Sequence, residues 1–272
     1  MKAYISAIAK NEQQYIKEFV QHHLKLGFDK IIIYDNNQPN GEHYDELLAS
    51  EISSNKVEIV DVRGKSGYQN KSYQESYTKY KNETGWMFFI DIDEFICIEH
   101  ESDIHNFLSR ECFTTFNQIY FNWLTMSDND LVHNDNRPLV TRFTQPIDNG
   151  TEPHGCTMNR HVKCAVRLGC VPNINISSPH YAGNVFPSCD PCGNPLQNGP
   201  FNYSPDYSEA YIKHFHYKTI EEFIKNKMTK GFADYQRKTS EPFQDFFEKN
   251  KMTIDKTKWM IDYIFTLQQN KK

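Results

Sequence analysis

No stretch of this 272-residue chain approaches the roughly 18 consecutive apolar residues of a membrane span. The opening Met1-Lys2-Ala3-Tyr4-Ile5-Ser6-Ala7-Ile8-Ala9-Lys10 is too short and too soon polar to read as a secretory leader. That opening reads as a first strand, and a cytoplasmic protein is expected. Positive charge is not in excess. The net charge of −5 argues against a general nucleic-acid binder, which should be basic. There is no G-x-G-x-x-G after the first strand and no G-x-x-x-x-G-K-[ST], which speaks against dinucleotide dehydrogenases and P-loop enzymes. No internal repeat, low-complexity tract or clear linker appears. The seven cysteines are odd in number and scattered, so reduced thiols are the default in a cytosolic chain. One cluster, Cys156, Cys164, Cys170 and Cys189-Asp190-Pro191-Cys192, raises the question of structural zinc. Only its last pair has ligand-like spacing, so plain thiols are expected.

What the chain does have is Trp86-Met87-Phe88-Phe89-Ile90-Asp91-Ile92-Asp93-Glu94-Phe95, an apolar run ending in acid. A short apolar run reads as a buried strand, and alternation would place Asp91 and Asp93 on one face. Paired carboxylates at a strand end repel each other unless a cation neutralises them. Mg²⁺ and Mn²⁺ favour such oxygen ligands together with substrate phosphates. A metal–diphosphate site is one reading, and a solvated acidic turn is the other. Aromatics are plentiful, and Tyr and Phe rings can line a polar ligand's cleft or fill the core.

The first half alternates strand and helix signals. Strands are expected over 2–9, 30–36, 57–62 and 86–92, with helices after Asn11, over 42–50 and over 72–80. Asn11 and Gln14 stand at capping-box spacing for the first helix, and Thr219 and Glu222 do so for a late one. This order implies an α/β fold with a parallel sheet and helices on both faces. Ligands then bind beyond the carboxyl ends of the strands, where Asn11-Glu12, Asp35-Asn36, Arg63-Gly64 and Asp91-Ile92-Asp93 would converge. Later come a strand at 117–124, strand-like pieces in 160–171, long loops over 172–205 and an amphipathic segment at 255–269. Loops that long are often binding elements or lids. Tyr181, Phe186, Phe201 and Tyr203 offer flat faces for a sugar ring there.

Several motifs together resemble a known group. Asn11-Glu12, Glu18-Phe19-Val20-Gln21-His22-His23-Leu24, and Gly27 through Asp35-Asn36 look like the opening of glycosyltransferases of the family 2-like and family 92 group. Trp86 to Phe95 is similar to their W-x-x-F-x-DIDEF segment. Ile212-Lys213-His214-Phe215-His216-Tyr217-Lys218-Thr219-Ile220-Glu221-Glu222-Phe223 is similar to their late I-N-H-Y-x-x-K-S-x-E-E-F segment, and Lys230-Gly231 to the RG that follows. The resemblance implies a single GT-A domain with a Rossmann-like, mostly parallel central sheet. It implies a nucleotide-sugar half at 1–126, an acceptor half at 127–218 and C-terminal helices at 219–272. Its metal ligands map onto Asp91, Asp93 and His214, with Mn²⁺ or Mg²⁺ as cofactor. His216 is a departure from the pattern that can take the same role, and a hydrogen-bonded core histidine is the plain alternative for His214.

Nucleotide-sugar contacts map onto Asn11, Glu12, Asp35, Asn36, Gln69, Asp91 and Lys163, with Tyr73 beside Gln69 and His180 as a weaker candidate. Inversion needs a carboxylate base, for which Asp128 comes first and Glu152 and Asp190 follow. The implied reaction moves a hexose, galactose or glucose first, from a UDP-sugar to a saccharide or lipid-linked saccharide in bacterial surface polysaccharide assembly. Peripheral attachment to the inner face of the membrane fits such acceptors. A nucleotidyltransferase and a non-catalytic carbohydrate-binding protein are the competing readings.

Overall fold

The computed structural model describes residues 1–148, 156–230 and 241–269, and the chain divides into two units. The first unit comprises Met1–Leu124 and Thr157–His214; the second comprises Thr125–Cys156 and Phe215–Lys272.

The first unit opens with β1 (Lys2–Ala9), α1 (Ile16–Lys25), β2 (Lys30–Asp35), α2 (Ala49–Ser53), β3 (Val57–Asp61), α3 (Gln69–Tyr80) and β4 (Gly85–Phe89). It continues with β5 (Glu94–Ile98), α4 (Ile104–Leu108), β6 (Gln118–Thr125), β7 (Val162–Arg167), β8 (Ser188–Cys189), β9 (Pro195–Leu196) and β10 (Ala210–His214). The sheet runs β3-β2-β1-β4-β7-β6-β10-β5. Its first four strands are parallel, as the alternation of strand and helix signals predicts. Ile5 lies between Ile31 and Phe88 in register, and all three are buried, as strands covered on both faces require. Beyond β4 the direction changes. β7 inserts antiparallel between β4 and β6, and β10 runs antiparallel to β5.

Helix α1 buries Ile16, Phe19, Val20 and His23, a stripe at i, i+3, i+4 and i+7. Its two adjacent histidines close one edge of β5. His22 Nε2 donates to the Ile96 carbonyl at 2.8 Å, and the Ile96 N–H donates to His23 Nε2 at 3.2 Å. His23 Nδ1 in turn donates to the Phe19 carbonyl at 2.8 Å, which fixes the tautomer. Two side chains thus satisfy the outward backbone groups of a strand at the end of the sheet.

Three local expectations are corrected. Asn11 does not cap α1; it sits at φ 52°, its N–H held by Asn37 Oδ1 at 2.7 Å, and α1 starts at Ile16 without a side-chain cap. Asn tolerates this left-handed conformation better than most residues. The helix expected over 42–50 is displaced to Ala49–Ser53, because Tyr44 is fully buried in a turn and its hydroxyl accepts the Glu12 N–H at 3.2 Å. The strand expected to run to residue 92 ends at Phe89. Asp91 and Asp93 lie in the turn before β5, closed by Glu94 N–H to the Asp91 carbonyl at 3.1 Å. They therefore do not share a strand face.

The second unit carries α5 (Leu139–Arg142), α6 (Ile220–Lys230), α7 (Glu241–Lys249) and α8 (Ile254–Gln269). The capping box at the start of α6 forms as its spacing predicts: the Glu222 N–H donates to Thr219 Oγ1 at 3.1 Å, and the Thr219 N–H donates back to Glu222 Oε2 at 3.2 Å. Glu222 also binds Arg142 bidentately at 2.9 and 3.0 Å, both side chains being buried. Among the described residues, no helix is long and apolar enough to cross a membrane.

Candidate active site

The acidic turn after β4 is built by its neighbours. Asp91 Oδ1 accepts from Gln69 Nε2 at 2.6 Å and from the Tyr73 hydroxyl at 3.2 Å, and Asp91 Oδ2 accepts from Lys163 Nζ at 2.7 Å. Gln69 and Tyr73 stand one turn apart on α3, so a single helix face presents both donors. Lys163 comes from β7, the antiparallel strand hydrogen-bonded to β4. Its ammonium is buried and also lies 3.6 Å from Glu94 Oε1. Burial alone would lower the Lys163 pKa; Asp91 and Glu94 more than reverse that, and the net shift is upward. Burial pushes the Glu94 carboxyl well above the usual range, against the pull of Lys163. Glu94 Oε2 meanwhile accepts the Asp91 N–H at 3.0 Å, which holds the turn in shape.

Asp93 takes a different partner. The register of β5 and β10 sets His214 opposite Glu94, and Asp93 Oδ2 then lies 3.8 Å from His214 Nε2. That is too far for a hydrogen bond between them. Two ligands bound to one ion at about 2.1 Å each can lie up to about 4.2 Å apart, so one ion can span the pair. A carboxylate with an imidazole suits Mn²⁺ better than Mg²⁺, which prefers oxygen alone. The donor set therefore fits a divalent ion, which Asp93 and His214 could hold with Asp91 paired to Lys163 beside them. The His214 ring packs on Trp123, centroids 4.1 Å apart.

The nucleotide candidates gather around a residue the sequence reading passed over. Asn37 is fully buried; its Oδ1 accepts the Asn11 N–H at 2.7 Å, its own N–H donates to Asp35 Oδ1 at 3.0 Å, and its Nδ2 donates to the Glu42 carbonyl at 3.1 Å. Asn36 Nδ2 reaches the Lys65 and Val62 carbonyls at 2.6 and 3.1 Å. Burial pushes the Asp35 carboxyl up, while the Asn37 N–H and Arg63 pull it down. The ends of β1, β2 and β3 thus meet in one polar patch holding Asn11, Asp35 and Asn36, with Glu12 adjoining through Tyr44. Glu94, Asn37 and Trp123 are the functional neighbours that were missed. For Glu94 the signal was present, as the third acid of the turn.

Asp190 is folded into its own turn, with Oδ1 accepting the Cys192 and Asn194 N–H groups at 2.9 and 2.8 Å and Oδ2 accepting Asn194 Nδ2 at 3.0 Å. Asp128 belongs to the second unit, buried 2.5 Å from Lys256 Nζ. Burial raises its pKa and Lys256 opposes the rise. Glu152 lies outside the described residues. His180 Nδ1 donates to the Val162 carbonyl at 2.9 Å, and burial, with Lys163 next, lowers its pKa to about 4. The cysteines are free thiols: Cys164 is buried in β7, Cys189 is buried in β8, and Cys192 Sγ lies 3.7 Å from Ser208 Oγ. The loops over 172–205 are pinned at their centre, where the buried Gln118 amide donates to the Asn198 side chain at 2.7 Å and accepts the Ala182 N–H at 2.8 Å.

The family described as Glycosyltransferase family 92 matches residues 5–263. No curated protein matches the chain. Among solved structures, S. aureus TarS 1–349 in complex with UDP-GlcNAc is 14% identical over 49% of this chain and 37% of its own, with a TM-score of 0.37. A further structure of S. aureus TarS 1–349 is 11% identical over 91% of this chain and 70% of its own, with a TM-score of 0.43. The mannosyltransferase PcManGT from Pyrobaculum calidifontis, in complex with GDP-Man and Mn²⁺, is 8% identical over 43% and 34%, with a TM-score of 0.31. This chain thus spans under two fifths of the first of these.

Proposed function

Because this chain belongs to glycosyltransferase family 92, we propose that it is a metal-dependent, inverting transferase that moves a hexose from UDP to a saccharide acceptor. The observation that carries the reading is the opposition of Asp93 and His214 at 3.8 Å beside an Asp91 already neutralised by Lys163. A bound Mn²⁺ would neutralise the diphosphate leaving group as the glycosidic bond breaks. Asp93 and His214 hold that ion; His216, two residues on, is the other imidazole the chain offers by position. The role of Lys163 is to neutralise Asp91 and hold it in place beside Asp93. Gln69 and Tyr73 fix the Asp91 rotamer, and Asn11, Asp35 and Asn36 supply amide and carboxylate groups to base and ribose. Inversion asks for one carboxylate at the acceptor hydroxyl. Asp128 serves only if its Lys256 pair opens. Bacterial surface polysaccharide is the acceptor class that this reading favours.

The test is transfer from a panel of UDP-hexoses with Mn²⁺. Asp93→Ala should abolish turnover while leaving the melting temperature unchanged. Undiminished turnover in excess EDTA would sink the metal-dependent reading.

A further inference from the structure

A column of rings leads from His214 to the surface of the first unit. His214 packs on Trp123 at 4.1 Å, Trp123 stacks on His161 at 4.9 Å with 22° between planes, and His161 meets Phe201 edge-on at 4.7 Å. A backbone bridge between His161 and Phe201 fixes the last step. Tyr203 continues the line at 6.0 Å from Phe201, and the Arg160 guanidinium lies 5.5 Å from the Tyr203 ring centre. The inner end is covered, with Trp123 only 8% exposed, while the outer rings are open, Phe201 at 43% and Tyr203 at 66%. The indole N–H of Trp123 has no acceptor among the described residues, so packing rather than a polar tie sets that ring.

Two large apolar faces left open side by side forgo burial, and they ask for an occupant. The occupant's chemistry follows from the surroundings. A pyranose has an apolar patch of axial C–H bonds and a rim of hydroxyls. It can lie on an aromatic face while its rim stays in water or reaches a guanidinium. A wholly apolar ligand would gain nothing from Arg160. We propose that Phe201 and Tyr203, backed by His161 and Trp123 and edged by Arg160, form the subsite for the terminal pyranose of the acceptor. The assignment rests on the transferase reading above, which places the donor's diphosphate at the His214 end of the same column.

Saturation-transfer NMR tests it with methyl β-D-galactopyranoside, methyl β-D-glucopyranoside and methyl α-D-mannopyranoside, each with UDP and Mn²⁺ present. The expected result is transfer to the axial ring protons of at least one glycoside. Phe201→Ala and Tyr203→Ala should each weaken that binding roughly tenfold. Phe186→Ala, another exposed ring at 57%, should leave it intact. No transfer to wild-type protein from any of the three overturns the subsite, and so does equal transfer in both ring variants. A concentration-dependent dimer in sedimentation that Tyr203→Ala abolishes, without glycoside contact, would assign the rings to self-association instead. Calorimetry of UDP and Mn²⁺ on the same samples reports on the donor site alone. UDP binding without glycoside binding removes only the subsite, whereas glycoside binding without UDP binding removes the transferase reading and with it the acceptor role, leaving a pyranose site.

Discussion

Replacing Lys163 with methionine removes the buried cation that Asp91 and Glu94 share. The ammonium lies 2.7 Å from Asp91 and 3.6 Å from Glu94, with side-chain exposures of 1% for Lys163, 31% for Asp91 and 0% for Glu94. At an effective dielectric of about 20, the Glu94 pair alone is worth about 4.6 kcal/mol of attraction before desolvation. The Asp91 pair counts for less than its shorter distance suggests, because a third of that side chain meets solvent. Loss of the lysine also lets Glu94 take up a proton, which caps the damage. Breaking a buried pair from one side costs about 3–5 kcal/mol, so Lys163→Met should lower the melting temperature by about 6–20 °C in a domain of this size. Glu94→Gln in the same chain removes the carboxyl that Lys163→Met leaves without its partner. The double variant should therefore be more stable than the sum of the two single losses predicts, by at least about 1 kcal/mol. Thermal and urea unfolding of the four proteins of this cycle decide the matter. A Lys163→Met protein melting within about 2 °C of wild type, or strict additivity, would refute a coupled buried cluster.

At the metal-site candidate, His214→Ala should weaken Mn²⁺-dependent UDP binding in calorimetry more than His216→Ala does; the opposite ranking moves the ligand to His216. His23 should make the fold acid-sensitive. Burial holds its imidazole neutral, well below the ordinary 6.5. Its contribution is therefore complete above pH 6.5 and falls by about 1.4 kcal/mol per pH unit below it, because only the unfolded chain takes up the proton. Melting temperatures between pH 7.5 and 5 should fall in wild type and fall less steeply in His23→Gln, although that variant starts lower; parallel curves would rule His23 out. Arg142→Met should cost about 3–5 kcal/mol by stranding the buried Glu222 carboxylate, and Arg142→Met with Glu222→Gln should recover part of it in urea unfolding.

The sequence pattern reports what each element buries, and that much could be read. The apolar runs of β1, β2 and β3 and the strand–helix order give the parallel half of the sheet. The stripe of α1 and the Thr219–Glu222 box lie where their spacings put them. Antiparallel insertion of β7 could not be read, because no local period says which distant strand will lie alongside β4. The acidic turn shows the same limit at finer scale. Alternation predicted one shared face for Asp91 and Asp93, but the Asp91–Glu94 hydrogen bonds ended the strand at Phe89 and turned the carboxylates to separate partners.

That separation bears on function as well as on prediction. Two carboxylates on one face would depend on a metal ion for their neutralisation. Here Asp91 has a protein cation of its own in Lys163, 72 residues further along the chain, and Asp93 alone is left facing an imidazole. Folding can therefore bring the acids together before any ion or nucleotide arrives, because the self-energy of the turn is offset from within the sheet. The histidines of α1 serve the same end from the other side: by holding the backbone of Ile96 they steady β5, the strand that begins immediately after Asp93. A motif that reads as a metal signature in sequence is, in the fold, a turn whose first carboxylate is neutralised by a lysine and whose second faces an imidazole.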